Sequence, residues 1–293
     1  MEETALRILV LGITIGCIYT LIGIGLNLLW GTMRILNVAH GSLIMLGAYV
    51  AYWLFTFYSI SPFIGAIIAI GGGAALGLLI YKALFSTIIR KEKSVESLEI
   101  QSYLIFFGFL IILDNAASLA WSANYRSYTY LVGSVNILGM SLPLNRLIAS
   151  LVAIGVSLGF HVFLQRTLFG KAVRALIQDR YATEVVGVRI DRVYIFCFCS
   201  GFAMAGLSGT LLSLFYAISP YMGLPYALMA FVIVIIGGSG NMLGSLIGGI
   251  LLGVIMTAGV HFTAPTFSPV ILYLVFVLVI LFKPAGILGR RLR

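Results

Sequence analysis

The chain has 293 residues, of which 61% are hydrophobic and only 9% are charged, whereas soluble domains are about 45–50% apolar and about 25% charged. A globule of this size has too little interior to bury so much apolar surface, so lipid must be the solvent for much of it. This composition excludes a soluble enzyme, a disordered chain and a disulfide scaffold. The formal charge of +9 indicates basic loops on the cytoplasmic side of a membrane rather than nucleic-acid binding.

Apolar stretches follow one another along the whole chain, and most approach the ~20 residues that a membrane-crossing helix needs. They are continuously apolar, unlike the alternating strands of a membrane barrel. The seventh and the ninth are short for a full crossing. The sequence therefore predicts an all-α fold, a polytopic transmembrane helical bundle with eight or nine spans. The stretches lie near residues 5–29, 37–57, 60–81, 102–121, 144–164, 194–216, 225–237, 243–262 and 268–282.

Glycine is the second signal, with 33 residues in the chain. Many glycines are four residues apart, a spacing that lets helices approach closely in lipid. The segment GGSGNMLGSLIGG at 237–249 is too rich in glycine for packing alone and predicts a helix break at membrane depth; WGTMRILNVAHGS at 30–42 predicts a second break. Broken backbone is tolerated in a membrane only where protein or a watery cavity surrounds it, so two breaks predict a translocation pathway. The spaced glycines are Gly12 and Gly16, Gly73 and Gly77, Gly240, Gly244 and Gly248, and Gly249 and Gly253.

Few polar residues interrupt the apolar stretches. Of nine acids only Asp114 lies inside one, where a charged Asp costs about 2.5–3.5 kcal/mol on insertion scales. Asp114 is therefore either a pathway group or one partner of an interhelical hydrogen bond. His40 either caps or bridges a break or contacts solute, and local backbone hydrogen bonds are an alternative role for the asparagines at the breaks. The candidate pathway residues are Asn37, His40, Gly41, Asp114, Asn115, Gly240 and Asn241.

Catalytic and nucleotide-binding patterns are absent from the sequence. The three histidines lie in separate spans or span ends, no paired carboxylates occur in the spans, and there is no P-loop or nucleophile elbow. We therefore predict no catalytic residue, no metal site and no cofactor bound by this chain. Any ATP that drives transport must be hydrolysed by another subunit.

The basic residues divide unevenly between the two sets of loops. With nine spans, 15 of the 18 fall on one side, which the positive-inside rule makes cytoplasmic. This predicts an external N-terminus, a cytoplasmic C-terminus and an external loop at 122–143 that carries interfacial tyrosines. The basic residues on the other side are Arg7, Arg126 and Arg146.

The cytoplasmic loop at 165–193 predicts a short helix with one apolar side, with Gly170 supplying the turn before it and Gly187 the stop after it. Such a helix can lie on the membrane surface or dock into the groove of a partner. Asp179 and Glu184 favour docking, because acids are repelled by anionic lipid. The candidate docking residues are Gly170, Lys171, Arg174, Ala175, Asp179, Arg180 and Gly187.

The segment GIGLNLLWGTMRILNVAHGSLIMLGAYV at 23–50 resembles the hallmark segment of branched-chain amino acid ABC importer permeases. The cytoplasmic loop resembles the ATPase-contacting segment of that family, and the segments at 237–253 and 282–290 extend the resemblance over the whole chain. The matching residues are Asn37, Ala39, His40, Gly41, Met45, Gly47, Ala48 and Tyr49, and in the loop Gly170, Arg174, Ala175, Gln178, Asp179, Arg180, Ala182 and Gly187.

The resemblance implies one transmembrane permease domain over 1–293, with an ATPase-coupling loop at about 165–193, in a prokaryotic inner membrane. Its implied partners are a second related permease, two cytoplasmic ATPases that use ATP and Mg²⁺, and an extracytoplasmic solute-binding protein. The implied solutes are branched-chain or hydrophobic amino acids, or related small solutes such as urea and amides. The sequence departs from the family at Ser42, where an acid is common, at Asp114, where Gln is common, and at Tyr181, where Glu is common.

Two other classes of protein compete with an importer permease. A stand-alone secondary transporter or channel needs no docking helix, but it wants more intramembrane ionisable groups for ion coupling than this sequence supplies. An intramembrane enzyme needs an acid pair, a His/Asp set or a metal cluster. Nucleotide-binding subunits that co-purify with the chain would favour the importer.

Overall fold

The computed structural model describes residues 2–91, 94–137, 139–283 and 286. These residues form a helical bundle with one short hairpin, in which β1 (Ser134–Ile137) pairs antiparallel with β2 (Met140–Pro143). The helices are α1 (Glu2–Met33), α2 (His40–Tyr58), α3 (Pro62–Ile80), α4 (Ser86–Lys91), α5 (Val95–Trp121), α6 (Leu144–Arg166), α7 (Leu168–Gln178), α8 (Arg180–Val185), α9 (Ile190–Ser213), α10 (Gly223–Gly237), α11 (Met242–Phe262) and α12 (Ser268–Phe282).

Eight helices of the described chain are long and apolar enough to cross a membrane, by length and composition. They coincide with the first eight predicted stretches, and α12, with 15 residues, is the short ninth. The prediction of a polytopic helical bundle is thereby confirmed. The largest difference in boundary is at α5, which begins at Val95 because the hydroxyl of Ser94 caps it and Glu96 suits the positive end of the helix dipole.

Two helices form the centre of the bundle. Helix α1 packs against α6, α9, α10 and α11, and α9 packs against α2 and α3 as well. Most residues of both central helices are buried, whereas only Leu98, Ser102, Phe106 and Ala117 are buried on α5. Helix α5 is therefore peripheral in the described chain.

The contact between α1 and α11 depends on the glycines that the sequence spaces four apart. A Cβ atom on Gly12 would lie 2.6 Å from the Cα of Val254, and one on Gly16 would lie 2.7 Å from the Cα of Ile250. From the other side, a Cβ on Gly249 would lie 2.4 Å from the backbone nitrogen of Thr20. The predicted role of this spacing in close helix packing is confirmed for these positions.

The connections gather at two ends of the bundle. At one end the 122–143 loop crosses the α9–α10 connection, where Arg126 and Ile218 exchange backbone hydrogen bonds of 2.8 and 2.7 Å. Tyr128 forms a hydroxyl–hydroxyl hydrogen bond of 2.8 Å with Ser213. Burial raises the pKa of Tyr128 to about 12, although the hydrogen bond with Ser213 acts to lower it. The phenol is therefore protonated at neutral pH. Of the predicted interfacial tyrosines of this loop, Tyr125, Tyr128 and Tyr130, only Tyr125 is largely exposed.

Helix α11 meets α10 at the glycine-rich segment, and this contact generates a first prediction. A Cβ on Gly244 would lie 1.8 Å from the carbonyl oxygen of Gly237. We expect Gly244→Ala to separate the two helices and to lower stability, since overpacking typically costs about 1–3 kcal/mol. The measurement is the thermal unfolding midpoint of the purified protein.

The matched control is Gly155→Ala in α6, where an added Cβ would meet nothing within 4 Å. This variant should unfold at the temperature of the parent or above it, because alanine is the better helix former. A Gly244→Ala protein as stable as the control would contradict the α10–α11 contact.

Candidate functional site

The first predicted break lies well inside the bundle. Helix α1 ends at Met33, residues 34–39 are non-helical, and α2 begins at His40. The Nε2–H of His40 donates to the carbonyl of Ile22 at 3.1 Å. Ile22 lies about 16 Å from the end of α1 at 1.5 Å per residue. The 34–39 segment therefore runs back along α1, and His40 bridges the two helices, which is one of the two roles that the sequence left open.

Asn37 lies within this segment and is fully buried. Neither its Oδ1 nor its Nδ2 has a hydrogen-bond partner in the described part of the chain. A buried amide without partners is costly, and the local backbone hydrogen bonds considered from the sequence are not formed by this side chain. Its candidate role as a contact for a polar solute stays a prediction.

Gly41 follows at the start of α2 and serves helix packing. A Cβ on Gly41 would lie 1.8 Å from the carbonyl oxygen of Gly223, so only glycine lets α2 approach α10 this closely. The backbone of Gly41 is therefore enclosed by protein.

Asp114 and Asn115 are neighbours in sequence but face different surroundings. The hydroxyl of Ser42 donates to Oδ1 of Asp114 at 2.7 Å, which joins α5 to the first turn of α2. Asn115 is exposed, and its Nδ2 donates to the carbonyl of Ile111 in its own helix at 2.8 Å. Two of the three positions where the sequence departs from the family pattern, Ser42 and Asp114, are thus in contact.

The second predicted break is the turn between α10 and α11, residues 238–241. Gly238 and Gly240 have φ values of 89° and 79°, a left-handed conformation that glycine adopts without strain. The side chain of Asn241 accepts from the backbone N–H of Gly244 at 3.1 Å and caps α11. This is the local hydrogen bonding that the sequence offered as the alternative for Asn241.

This turn is nearer the end of the bundle than the first break. A Cβ on Gly31, in the last turn of α1, would lie 2.4 Å from the Cα of Gly240, and a Cβ on Gly240 would lie 2.8 Å from the Cγ2 of Ile177 in α7. The turn is therefore pressed between the end of α1 and the predicted docking helix. It does not lie beside the Ser42–Asp114 contact.

Asn27 of α1 was missed by the sequence analysis, although it is the most connected polar side chain at this turn. It is fully buried, and its Nδ2 lies 3.0 Å from the carbonyl of Asn241 and 2.6 Å from the hydroxyl of Ser245. Its Oδ1 accepts from the N–H of Gly240 at 2.7 Å. The available signal was a lone amide in the apolar run LIGIGLNLLW.

The loop predicted as one helix forms two short helices, α7 and α8. The hydroxyl of Thr167 accepts from the N–H of Gly170 at 2.9 Å and caps α7. The prediction that Gly170 supplies the turn is therefore wrong: the turn is at Thr167, and Gly170 lies inside α7, where a Cβ would lie 2.2 Å from the carbonyl oxygen of Leu164. Gly187 follows α8 with a φ of 86°, as expected for a helix stop.

Several candidate docking residues have partners within the chain. Arg174 donates to the carbonyl of Leu164 at the end of α6, and the carboxylate of Asp179 accepts from the N–H of Ala182 at 3.0 Å and caps α8. The carbonyl of Ala175 accepts from the N–H of Asp179. These contacts shape the segment itself.

The outer surface of α7–α8 is a mixture of apolar and charged side chains. Lys171 and Arg180 are exposed, and the guanidinium of Arg180 lies 5.8 Å from the ring centroid of Tyr194. We call the four exposed large apolar side chains here the α7–α8 patch. They are Leu168 (82% exposed), Tyr181 (78%), Val185 (71%) and Val186 (74%).

The fold and these sites define a polytopic membrane protein with a buried helix break and an amphipathic segment at one end. The family model for the permease component of branched-chain amino acid transport systems matches residues 8–280, and the chain belongs to this family.

Full-length relatives agree with this assignment. The chain is 28% identical to the high-affinity branched-chain amino acid transport system permease protein LivH of Salmonella typhimurium, over 95% of this chain and 94% of that protein. It is 28% identical to the permease BraD of Pseudomonas aeruginosa, over 97% and 96%. It is 27% identical to a probable LivH permease of Methanocaldococcus jannaschii, over 92% and 88%.

The family-like segment at 282–290 lies mostly outside the described residues. Lys93 and the tail residues 284–285 and 287–293 are not described. Within the described residues, no three His, Cys, Asp or Glu side chains are grouped as metal ligands.

The Ser42–Asp114 contact generates a second prediction. Asp114→Leu removes the acceptor for the Ser42 hydroxyl, and we expect uptake to fall by about tenfold, equivalent to ~1.4 kcal/mol, near the lower end for a hydrogen bond to a charged group. Asp114→Asn keeps an acceptor, so uptake by this variant should fall less. Initial uptake rates are compared at equal amounts of assembled complex.

Ser42→Ala tests the same hydrogen bond from α2 and should lower uptake in the same direction. If Asp114→Leu assembles and transports normally, Asp114 has no place on the pathway.

Proposed function

We propose that this chain is the membrane-spanning subunit of an ATP-binding-cassette importer for branched-chain or similarly hydrophobic amino acids. An extracytoplasmic binding protein delivers the solute, and two cytoplasmic ATPase subunits hydrolyse ATP with Mg²⁺. The family and the names of its full-length relatives support the transport role and the solute class. The observation that carries the coupling to a partner is the α7–α8 patch.

The patch has the character of a protein interface. Exposed apolar side chains that cluster among charged ones mark an interaction site, and Lys171 and Arg180 flank this cluster. An anionic membrane surface would attract Lys171 and Arg180 but repel the exposed Glu184 and Asp179. A groove of the ATPase is the occupant that suits both the apolar and the charged members.

The exposed face of α5 supports the presence of a second permease subunit. Asn115 lies within a helix long enough to span the membrane and is exposed, and polar side chains in a membrane usually face a cavity or a protein partner. We infer that a related permease covers this face, with the solute route beside Asp114. The distribution of basic residues supports an orientation with the α7–α8 end and the C-terminus in the cytoplasm and the N-terminus outside.

The alternative is a stand-alone secondary transporter or channel. It requires ion coupling or a constitutive pore. Among the described spans, Asp114 is the acid that lies within an apolar core and could take part in ion coupling. The amphipathic α7–α8 segment would then have no partner, which disfavours this alternative.

The function is tested with the complex purified through this chain from its native membrane. We expect two ATPase subunits to co-purify, and liposomes that hold the complex to take up leucine only with ATP and the binding protein present. Leucine uptake by the lone chain without ATP would establish the alternative instead.

A third prediction tests the α7–α8 patch. Leu168→Glu places a charge on the patch, where Leu168 is 82% exposed and the apolar groove is expected, and association with the ATPase should weaken at least about tenfold, since hot-spot side chains contribute ~2 kcal/mol or more. The measurement is the amount of ATPase retained by the immobilised permease at graded ATPase concentrations.

Tyr125→Glu is the matched control, because Tyr125 is 79% exposed at the opposite end of the bundle. It should retain ATPase like the parent. Equal retention by both variants would show that the patch is not the docking surface.

A further inference from the structure

Three segments converge on the 238–241 turn. Asn27 and Gly31 of α1 contact it from one side, and Ile177 of α7 lies against Gly240. Beyond α12, the buried Gly286 reaches the same turn, since a Cβ there would lie 2.7 Å from the nitrogen of Gly238. The turn is thus the place where the docking segment meets the central helix of the bundle.

Asn27 satisfies the polar backbone of this turn. The amide oxygen must face the turn N–H of Gly240, because that group can only donate. The Nδ2 then points to the carbonyls of Asn241 and Gly238, at 3.0 and 3.3 Å, and to the hydroxyl of Ser245 at 2.6 Å. One side chain therefore bonds an N–H and two carbonyls of the turn, in addition to the backbone hydrogen bonds that the carbonyls of Gly238 and Asn241 accept from Asn241 and Ser245.

The turn is in close contact with two neighbours, although Ser239 is exposed. The backbone of Gly31 lies against Gly240, and the side chain of Ile177 contacts Gly240 as well. Close-packed groups transmit displacement, because protein interiors have low compressibility. A movement of α7 must therefore move the turn, and Asn27 ensures that α1 and α11 move with it.

We propose that Asn27 is a positioning residue for transport: it clamps the 238–241 turn to α1, so that displacement of α7 passes through Ile177 and the turn into α1 and α11. This rests on the proposed function, in which the ATPase moves α7. The clamp thus joins α7 to α1. His40, at the buried break, is hydrogen-bonded to the same helix.

The experiment measures leucine transported per ATP hydrolysed in liposomes that hold the complete complex. Asn27→Asp keeps the shape and the acceptor but loses the donors to the turn, and Ile177→Ala keeps every Asn27 hydrogen bond but removes the contact with α7. We expect the ratio to fall at least about fivefold in both, the lower end of coupling between sites. The double variant should fall no further than the more affected single variant, because both act on one turn.

The control is Ser208→Ala in α9, a buried hydroxyl that donates only within its own helix, to the carbonyl of Met204 at 2.7 Å. A merely structural effect lowers the amount of complex and reduces uptake and hydrolysis together, so the ratio stays at the parent value, as expected for this control.

An unchanged ratio in both single variants overturns the proposal, and so do effects that multiply in the double variant. If Asn27→Asp fails to assemble, Ile177→Ala decides alone: a lowered ratio supports the clamp and an unchanged one overturns it. Failure of the proposed function is distinguished by the parent complex, which would then show no ATP-dependent leucine uptake.

Discussion

Hydrocarbon cannot hydrogen-bond to a peptide group, so every backbone N–H and C=O within the membrane must be bonded inside the protein. Continuous helices meet this requirement by themselves, and most of the described chain is helical. The requirement becomes demanding only where a helix stops inside the bundle. Both features of functional interest, the 34–39 segment and the 238–241 turn, are such places, and side chains from α1 or backbone groups of α1 serve each of them.

The two places are served differently, and this separates their roles. At the 238–241 turn the amide of Asn27 bonds the exposed backbone groups, which makes the turn a fixed part of the α1–α11 body. At the 34–39 segment the bond from His40 to Ile22 joins two helices, while the amide of Asn37 is buried and makes no hydrogen bond within the described chain. The first place has its polar groups bonded within the protein, whereas the second keeps one unbonded amide, and its role as a solute contact stays a prediction.

The sequence predicted the spans well, because the apolar length that lipid demands is a local property that needs no partner. Spaced glycines likewise predicted close packing, but not which helices would meet. The role of Asn27 was not predicted, because the backbone groups to which it hydrogen-bonds lie more than 200 residues away in the chain. The contacts of Arg174 and Asp179 within the chain were not predicted, because a cap on a neighbouring helix and a contact with another subunit require the same charged side chains. Their role in docking stays a prediction.

Because Arg174 and Asp179 form hydrogen bonds within the chain, the effect of substituting them on coupling has two possible causes. Reversing either charge removes a cap from α6 or α8, so a loss of coupling in such variants would reflect the shape of α7–α8 as much as its contacts. Substitutions in the exposed patch and at Ile177 separate the contacts of α7–α8 from its shape. The patch faces outward, whereas Ile177 faces the 238–241 turn. Among the eight long spans of the described chain, helix α5 has the fewest buried residues, four, and it carries Asp114. The Ser42–Asp114 contact therefore lies at the periphery of the described bundle, whereas the hydrogen bonds of Asn27 lie in the closely packed body around α1.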